Sequence, residues 1–145
     1  MSIPHRVAFS NFKGAWWEVD LGSSYAIAHV EVQNCNDCCR CGDRLSNSDI
    51  ILFDNDSMEL ASYHIAEAAT GQQFVIPVSS FGAPFVINPW NTKKIRVQLR
   101  GSNPMHLAEV KVYDVSGRNV ARLSRAVASQ SSENGLYPNP ALRRC

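Results

Sequence analysis

The stretch Trp16-Trp17-Glu18-Val19-Asp20-Leu21 alternates side chains of opposite character. Trp17, Val19 and Leu21 fall on one face and Glu18 and Asp20 on the other. That period of two marks a half-buried strand rather than a helix. Gly22-Ser23-Ser24 follows and reads as a turn. Alternation resumes from Ala26 to Gln33, with Ala28, Val30 and Val32 inward and His29, Glu31 and Gln33 outward. Lys94 to Arg100 repeats the pattern most cleanly, with Ile95, Val97 and Leu99 set against Lys94, Arg96, Gln98 and Arg100.

The remaining apolar runs are short. Ile50 to Phe53 is apolar on both faces, as a central strand is. Phe74-Val75-Ile76-Pro77-Val78 reads as a strand that Pro77 confines to a sheet edge, because proline donates no ladder hydrogen bond. Met58 to Ala69 mixes periods, and the reading is a strand over Leu60 to Ile65 followed by a loop. Met105 to Tyr113 closes the series, with Ala108, Val110 and Val112 on one face. Short strands separated by Gly, Pro, Asn and Ser predict an all-β antiparallel sandwich.

The chain has 145 residues, of which 45% are hydrophobic and 19% charged, enough for one domain with its own core. A net charge of +1 gives no electrostatic footprint for nucleic acid or a membrane surface. No run approaches the roughly 18 apolar residues of a membrane span. Composition shifts after Tyr113. Asp114 to Arg118 reads as a linker, and Asn119 to Cys145 is polar with little periodic apolar content. The expected division is therefore a domain over 1–114 and a separate segment over 115–145.

Four of the five cysteines lie in Cys35-Asn36-Asp37-Cys38-Cys39-Arg40-Cys41, with Arg44-Leu45 just beyond. Three chemistries suit such a run. It is a thiolate metal nest, a redox device built on Cys35-Asn36-Asp37-Cys38, or a covalently stiffened loop. Zinc sites normally use two CxxC pairs set well apart, and adjacent cysteines crowd them. Thioredoxin-like sites need a strand-to-helix context that is missing here. Cysteine usage points to an extracellular location. Met1 to Val7 lacks the basic-then-apolar pattern of a secretory signal, so the chain is expected to be a fragment.

Trp16-Trp17-Glu18-Val19-Asp20-Leu21-Gly22, then Val30-Glu31-Val32, Asp37-Cys38-Cys39 with Arg44-Leu45, and finally Leu107-Ala108-Glu109-Val110-Lys111-Val112-Tyr113 occur in an order that resembles the fucolectins, or F-type lectins. The resemblance covers roughly residues 8 to 114. It implies a galactose-binding-domain-like jelly-roll β-sandwich, a non-enzymatic module that binds fucose-bearing glycans or glycoproteins, and a calcium ion nearby. It places a vicinal disulfide at Cys38-Cys39, leaves Cys35 and Cys41 to close an outer ring, and makes Glu109 a calcium ligand. It assigns the carbohydrate site to Asp37, Cys38, Cys39, Arg40 and Arg44. Two departures are plain. The family's histidine position falls near Ala8, with His5 the nearest histidine, and Cys35 stands where the family keeps an arginine. Arg44 matches the later arginine only through a two-residue insertion.

The tail adds a second resemblance. Asn119-Val120-Ala121 and Ala126-Val127-Ala128-Ser129-Gln130-Ser131-Ser132 are similar to the opening of another such domain. That implies tandem copies or, in a bolder reading, a tail that closes its own sandwich. Plainer readings accompany the candidates. Glu109 is also an ordinary outward strand residue. Trp16 and Trp17 suit sandwich core and rim rather than ligand platforms. His29 and His64 suit outward strand positions, and Asp54, Asp56 and Glu59 suit a solvated turn. Asn55-Asp56-Ser57 is a glycosylation sequon, usable on a secreted chain. No nucleophile elbow, HExxH, phosphate-binding loop or dinucleotide fingerprint is present. The rival to glycan binding is a discoidin-like protein-interaction or adhesion module.

Overall fold

The computed structural model describes residues 5–6, 14–35, 45–82, 91–101, 106–123 and 125–130, with only the backbone at His5, Arg6 and His106. Its strands are β1 (His5–Arg6), β2 (Trp16–Asn34), β3 (Ser48–Phe53), β4 (Glu59–Ile65), β5 (Gln73–Pro77), β6 (Asn91–Leu99), β7 (His106–Asp114) and β8 (Val127–Gln130). All pairings are antiparallel. The order in the front sheet is β4-β3-β6-β2-β8, and in the back sheet β1-β7-β2-β5. Strand β2 belongs to both. This is the predicted β-sandwich.

The alternation places the core as expected. Trp17, Val19, Ile50, Leu52, Ile95 and Val97 from the front sheet are buried together with Ile27, Val30, Val32, Ile76, Val110 and Val112 from the back. Each fully buried aliphatic side chain contributes about 1.5–3 kcal/mol. Trp17 lies in the core and Trp16 at its rim. Among the described residues β5 pairs only with β2, so Pro77 sits at an edge as read.

Three local expectations need correcting. Gly22-Ser23-Ser24 is not a reversing turn. Gly22 takes a φ of 79°, its N–H is held by the Asp20 carboxylate at 2.9 Å, and β2 continues in the same direction into the back sheet. The pairing with β6 skips register between Asp20 and Tyr25 and then resumes. Irregularities on the β7 side shift the inward set by one residue. Ile27 is buried where Ala28 was expected, and Leu107 where Ala108 was expected.

The segment after Tyr113, read as a linker, is a closed turn. One oxygen of the Asp114 carboxylate accepts the backbone N–H groups of Ser116 and Arg118 and the Ser116 hydroxyl. The other accepts the Arg118 guanidinium. A 3-10 turn over Val120–Arg122 then buries Val120 and Ala121, and β8 pairs with Trp17 to Asp20 of β2. Gly22 makes room for this segment, since a Cβ there would stand 2.6 Å from the Arg125 carbonyl oxygen. Residues 119–130 thus run along the same sandwich.

Candidate functional site

One end of the sandwich gathers the polar chemistry. Strand β2 leaves the core there at Asn34, which is fully buried. Its backbone N–H donates to Gln72 O at 2.9 Å, its side-chain amide donates to Ala69 O at 2.7 Å, and its side-chain oxygen accepts the Cys35 N–H at 2.8 Å. The Cys35 carbonyl accepts the Gly71 N–H at 2.9 Å, and Cys35 itself is only 4% exposed. The turn around residue 70 therefore clamps the chain where the cysteine run begins.

The other stem is fixed as firmly. Leu45 is buried, and its carbonyl accepts the Ser48 hydroxyl at 2.7 Å. The Ser46 hydroxyl accepts the Ala68 N–H. Asn47, at a φ of 58°, donates to Ala66 O and accepts the Arg100 N–H, both at 3.0 Å. A left-handed backbone is one that asparagine tolerates well. Asp37, Cys38, Cys39, Arg40, Cys41 and Arg44 lie outside the described residues, between these two stems.

Beside the second stem, the front sheet carries a row that sequence reasoning missed. Register places His64 opposite Asp49, Asp49 opposite Gln98, and Gln98 opposite Trp16, all facing outward. Arg100 folds back onto this row. Its Nε donates to Asp49 Oδ2 at 2.8 Å and a terminal nitrogen donates to Oδ1 at 2.9 Å, a two-pronged grip. His64 Nδ1 lies 3.0 Å from the same Oδ1. The Arg100 hydrogen bonds hold the Asp49 carboxyl below the usual aspartate range. Burial opposes the shift, and His64 adds to it. Asp49 in turn keeps Arg100 more firmly protonated. An open cavity of about 480 Å³ lies here, lined by Gly14, Asp49, Gln98, Leu99 and Arg100. His64 was read correctly as an outward strand residue. Its link to Asp49 was visible only through the β3–β4 register.

The next row along the same face is self-contained. The Arg96 guanidinium lies 4.6 Å from the Trp16 ring centroid and 5.4 Å from that of Phe53, and it pairs with Glu18 at 3.1 Å. Glu109 sits on the back sheet, where its carboxylate meets the Lys111 ammonium at 3.0 Å. No three His, Cys, Asp or Glu side chains converge on a metal position among the described residues. Calcium takes six to eight oxygens. The described residues around Glu109 supply an ammonium group instead, and do not fit that ion. Asp54 caps a surface turn through the backbone N–H groups of Asp56 and Met58, as the plain reading of that acidic cluster expected.

A two-sheet antiparallel β-sandwich is the architecture of galactose-binding-type modules. A family model described as NedA-like, galactose-binding domain matches residues 6–86, and the chain belongs to that family. No curated protein matches it in sequence. Among solved structures it is similar to a fucose-binding module of Streptococcus pneumoniae, SpX-3. That match has a TM-score of 0.58 and 29% identity, over 73% of this chain and 68% of that one. The lectin domain of lectinolysin, solved with Lewis B antigen, matches at a TM-score of 0.59 and 27% identity, over 72% of this chain and 68% of that one. A further Streptococcus pneumoniae fucose-binding module matches at 0.54 and 32% identity, over 67% and 61%. The F-type lectin resemblance is thereby established. No helix among the described residues is long and apolar enough to cross a membrane.

Proposed function

We propose that this chain is a non-catalytic carbohydrate-binding module that takes fucosylated glycans at the end of the sandwich carrying residues 36–44. The observation that carries the reading is the double anchoring of that loop. Cys35 and Leu45 are buried stems, tied by hydrogen bonds to the Ala66–Gln72 segment and to Arg100. Stems so fixed hold both ends of the run in place before any ligand arrives, which lowers the ordering cost of binding. The fucose-binding and Lewis B-binding neighbours supply the ligand class.

In this reading Arg40 and Arg44 donate to sugar hydroxyls and ring oxygen, Asp37 accepts from hydroxyls, and the Cys38-Cys39 pair stiffens the loop. The reading takes the run as oxidised rather than as a thiolate metal site, with Cys35 and Cys41 closing an outer ring around the Cys38-Cys39 pair. Disulfides persist in oxidising surroundings, so the reading includes an extracellular location. Single-site affinity for a sugar is weak, and tandem or oligomeric copies would raise it by avidity.

A glycan array tests the reading, with Arg44→Ala as the variant and the melting temperature as the folding control. Fucosylated glycans should bind the parent chain, and the variant should lose about tenfold or more, the worth of one charge-assisted hydrogen bond. Binding to no glycan at all would sink it. Cys35 favours one second reading, a protein-interaction module without sugar binding. At 4% exposure it offers no donor where the family keeps an arginine. Capture of a protein ligand by a chain silent on the array would establish that alternative.

A further inference from the structure

Arg100 is an arginine held in place with donors to spare. We propose that Arg100, Asp49, Gln98 and Gly14 form a second sugar-contacting site beside the cysteine loop, one that takes a pair of neighbouring hydroxyls on a neutral pyranose. The proposal rests on the carbohydrate-binding reading for its ligand class alone; the site itself is argued from its own residues.

The guanidinium is positioned before any ligand arrives. Its backbone is pinned on both sides, by the Arg100 N–H to Asn47 O and by Gly101 O accepting the Gly14 N–H, each at 3.0 Å. Its side chain is pinned by the two bonds to Asp49, and Asp49 is steadied by His64. Of the five N–H donors of an arginine, two are spent on Asp49. The remaining three make no hydrogen bond to a described residue, and the side chain is 56% exposed. Two of them lie along the edge between the terminal nitrogens, a planar fork whose spacing suits two adjacent oxygens.

The surroundings choose the ligand. Asp49 already balances the charge of Arg100, so the site offers oriented donors without a net positive field, which favours hydroxyls over a free anion. A hydroxyl both donates and accepts. Asp49 Oδ2 accepts only one hydrogen bond from a described residue and keeps capacity for another. The Gln98 amide faces the same cavity and is bonded to no described residue. Gly14, at a φ of 78°, keeps the floor open; a Cβ there would stand 3.1 Å from the Gln98 amide nitrogen. The contrast with Arg96 is informative. That guanidinium is stacked on rings and paired with Glu18. Asn47 ties the backbone of Arg100 to the stem that begins at Leu45.

The test is a titration of the full, ¹⁵N-labelled chain with methyl α-fucoside and methyl β-galactoside, and separately with sodium sulfate, followed by NMR. The neutral glycosides should shift the Arg100 Nε–H, the Gln98 side-chain amide and the Gly14 amide saturably. Arg100→Ala should weaken the response at Gln98 and Gly14 about tenfold, while the Cys35 and Leu45 amides respond as before. Arg100→Lys should not restore it, because lysine keeps the charge and loses the fork. A glycoside response at Arg100, Gln98 and Gly14 with silence at Cys35 and Leu45 would retire the loop reading and leave this site standing. The proposal is overturned if those three groups ignore the glycosides, respond only to sulfate, or respond unchanged in either variant.

Discussion

The outward faces of the two sheets are both polar strips, yet they end in different states. On the back sheet, polar groups answer one another along each strand and across to its neighbours. Glu31 takes His29 on one oxygen and Gln73 on the other, Lys111 meets Glu109, and the His29 ring stacks on Tyr113 at 4.6 Å. On the front sheet, Asp49 is engaged by Arg100 and His64, but Arg100 keeps unused donors beside an open cavity. Opposite charges paired on a strand face contribute well under about 1 kcal/mol each to stability. Composition therefore does not separate a strip that holds a sheet together from a strip that meets a ligand. A fixed donor fork left open beside a cavity does.

The strongest way to break this contrast is to disturb the junction where β2 passes from one sheet to the other. Gly22→Ala places a side chain at positive φ, which costs about 1–3 kcal/mol, and drives it against the Arg125 carbonyl. Urea unfolding should register a loss of about 2–4 kcal/mol. A loss below about 0.5 kcal/mol would mean that residues 125–130 are not held there as described.

Next in size is a paired comparison of cations. Arg100→Ala is expected to weaken glycoside contact about tenfold, and Lys111→Ala is expected to leave it unchanged. Equal losses in the two variants, measured by the same titration, would erase the distinction between the faces.

A smaller effect should appear in acid. Asp49 titrates below the ordinary aspartate value of about 3.9 when folded, through its Arg100 bonds first. Asp114 also titrates low. Burial there pushes upward and is outweighed by the hydrogen bonds from Ser116 and Arg118. A depressed folded pKa means stability that is complete above the unfolded value and is lost as pH falls through the folded one. The chain should therefore lose stability below about pH 4, and Asp49→Asn and Asp114→Asn should each flatten that slope. Denaturant midpoints between pH 6 and pH 2 measure it, and slopes identical to the parent would contradict both assignments.

The smallest expected effect is at Glu109. Lys111 already meets its carboxylate, so adding calcium or a chelator should leave the melting temperature where it was. A calcium-dependent rise that Glu109→Gln removes would return Glu109 to the role the family resemblance implies.

Much of the fold was legible along the chain. Lys94 to Arg100 and Trp16 to Leu21 show their buried faces by parity, and Pro77 announces an edge. Gly22-Ser23-Ser24 misled because its turn chemistry is real, but the continuing ladder with β6 and β7 overrides it. Ala28 and Ala108 misled because a bulge shifts parity without any mark in composition. The polar tail misled in a similar way. Three of its apolar residues, Val120, Ala121 and Ala126, are buried where it runs along a sheet that already exists.

The contrast between the two faces lay beyond such reading. Strand parity follows from local geometry, so alternation determined which residues enter the core, and the ordered motifs determined the family. Asp49 lies 15 residues from His64 and 51 from Arg100 in sequence, and no spacing rule joins them. They meet because β3 pairs with β4 on one side and β6 on the other in one register, and that register is fixed by burying Ile50, Leu52, Ile95 and Val97. The core, packed for its own reasons, decided which charges would find each other and which donors would be left facing water.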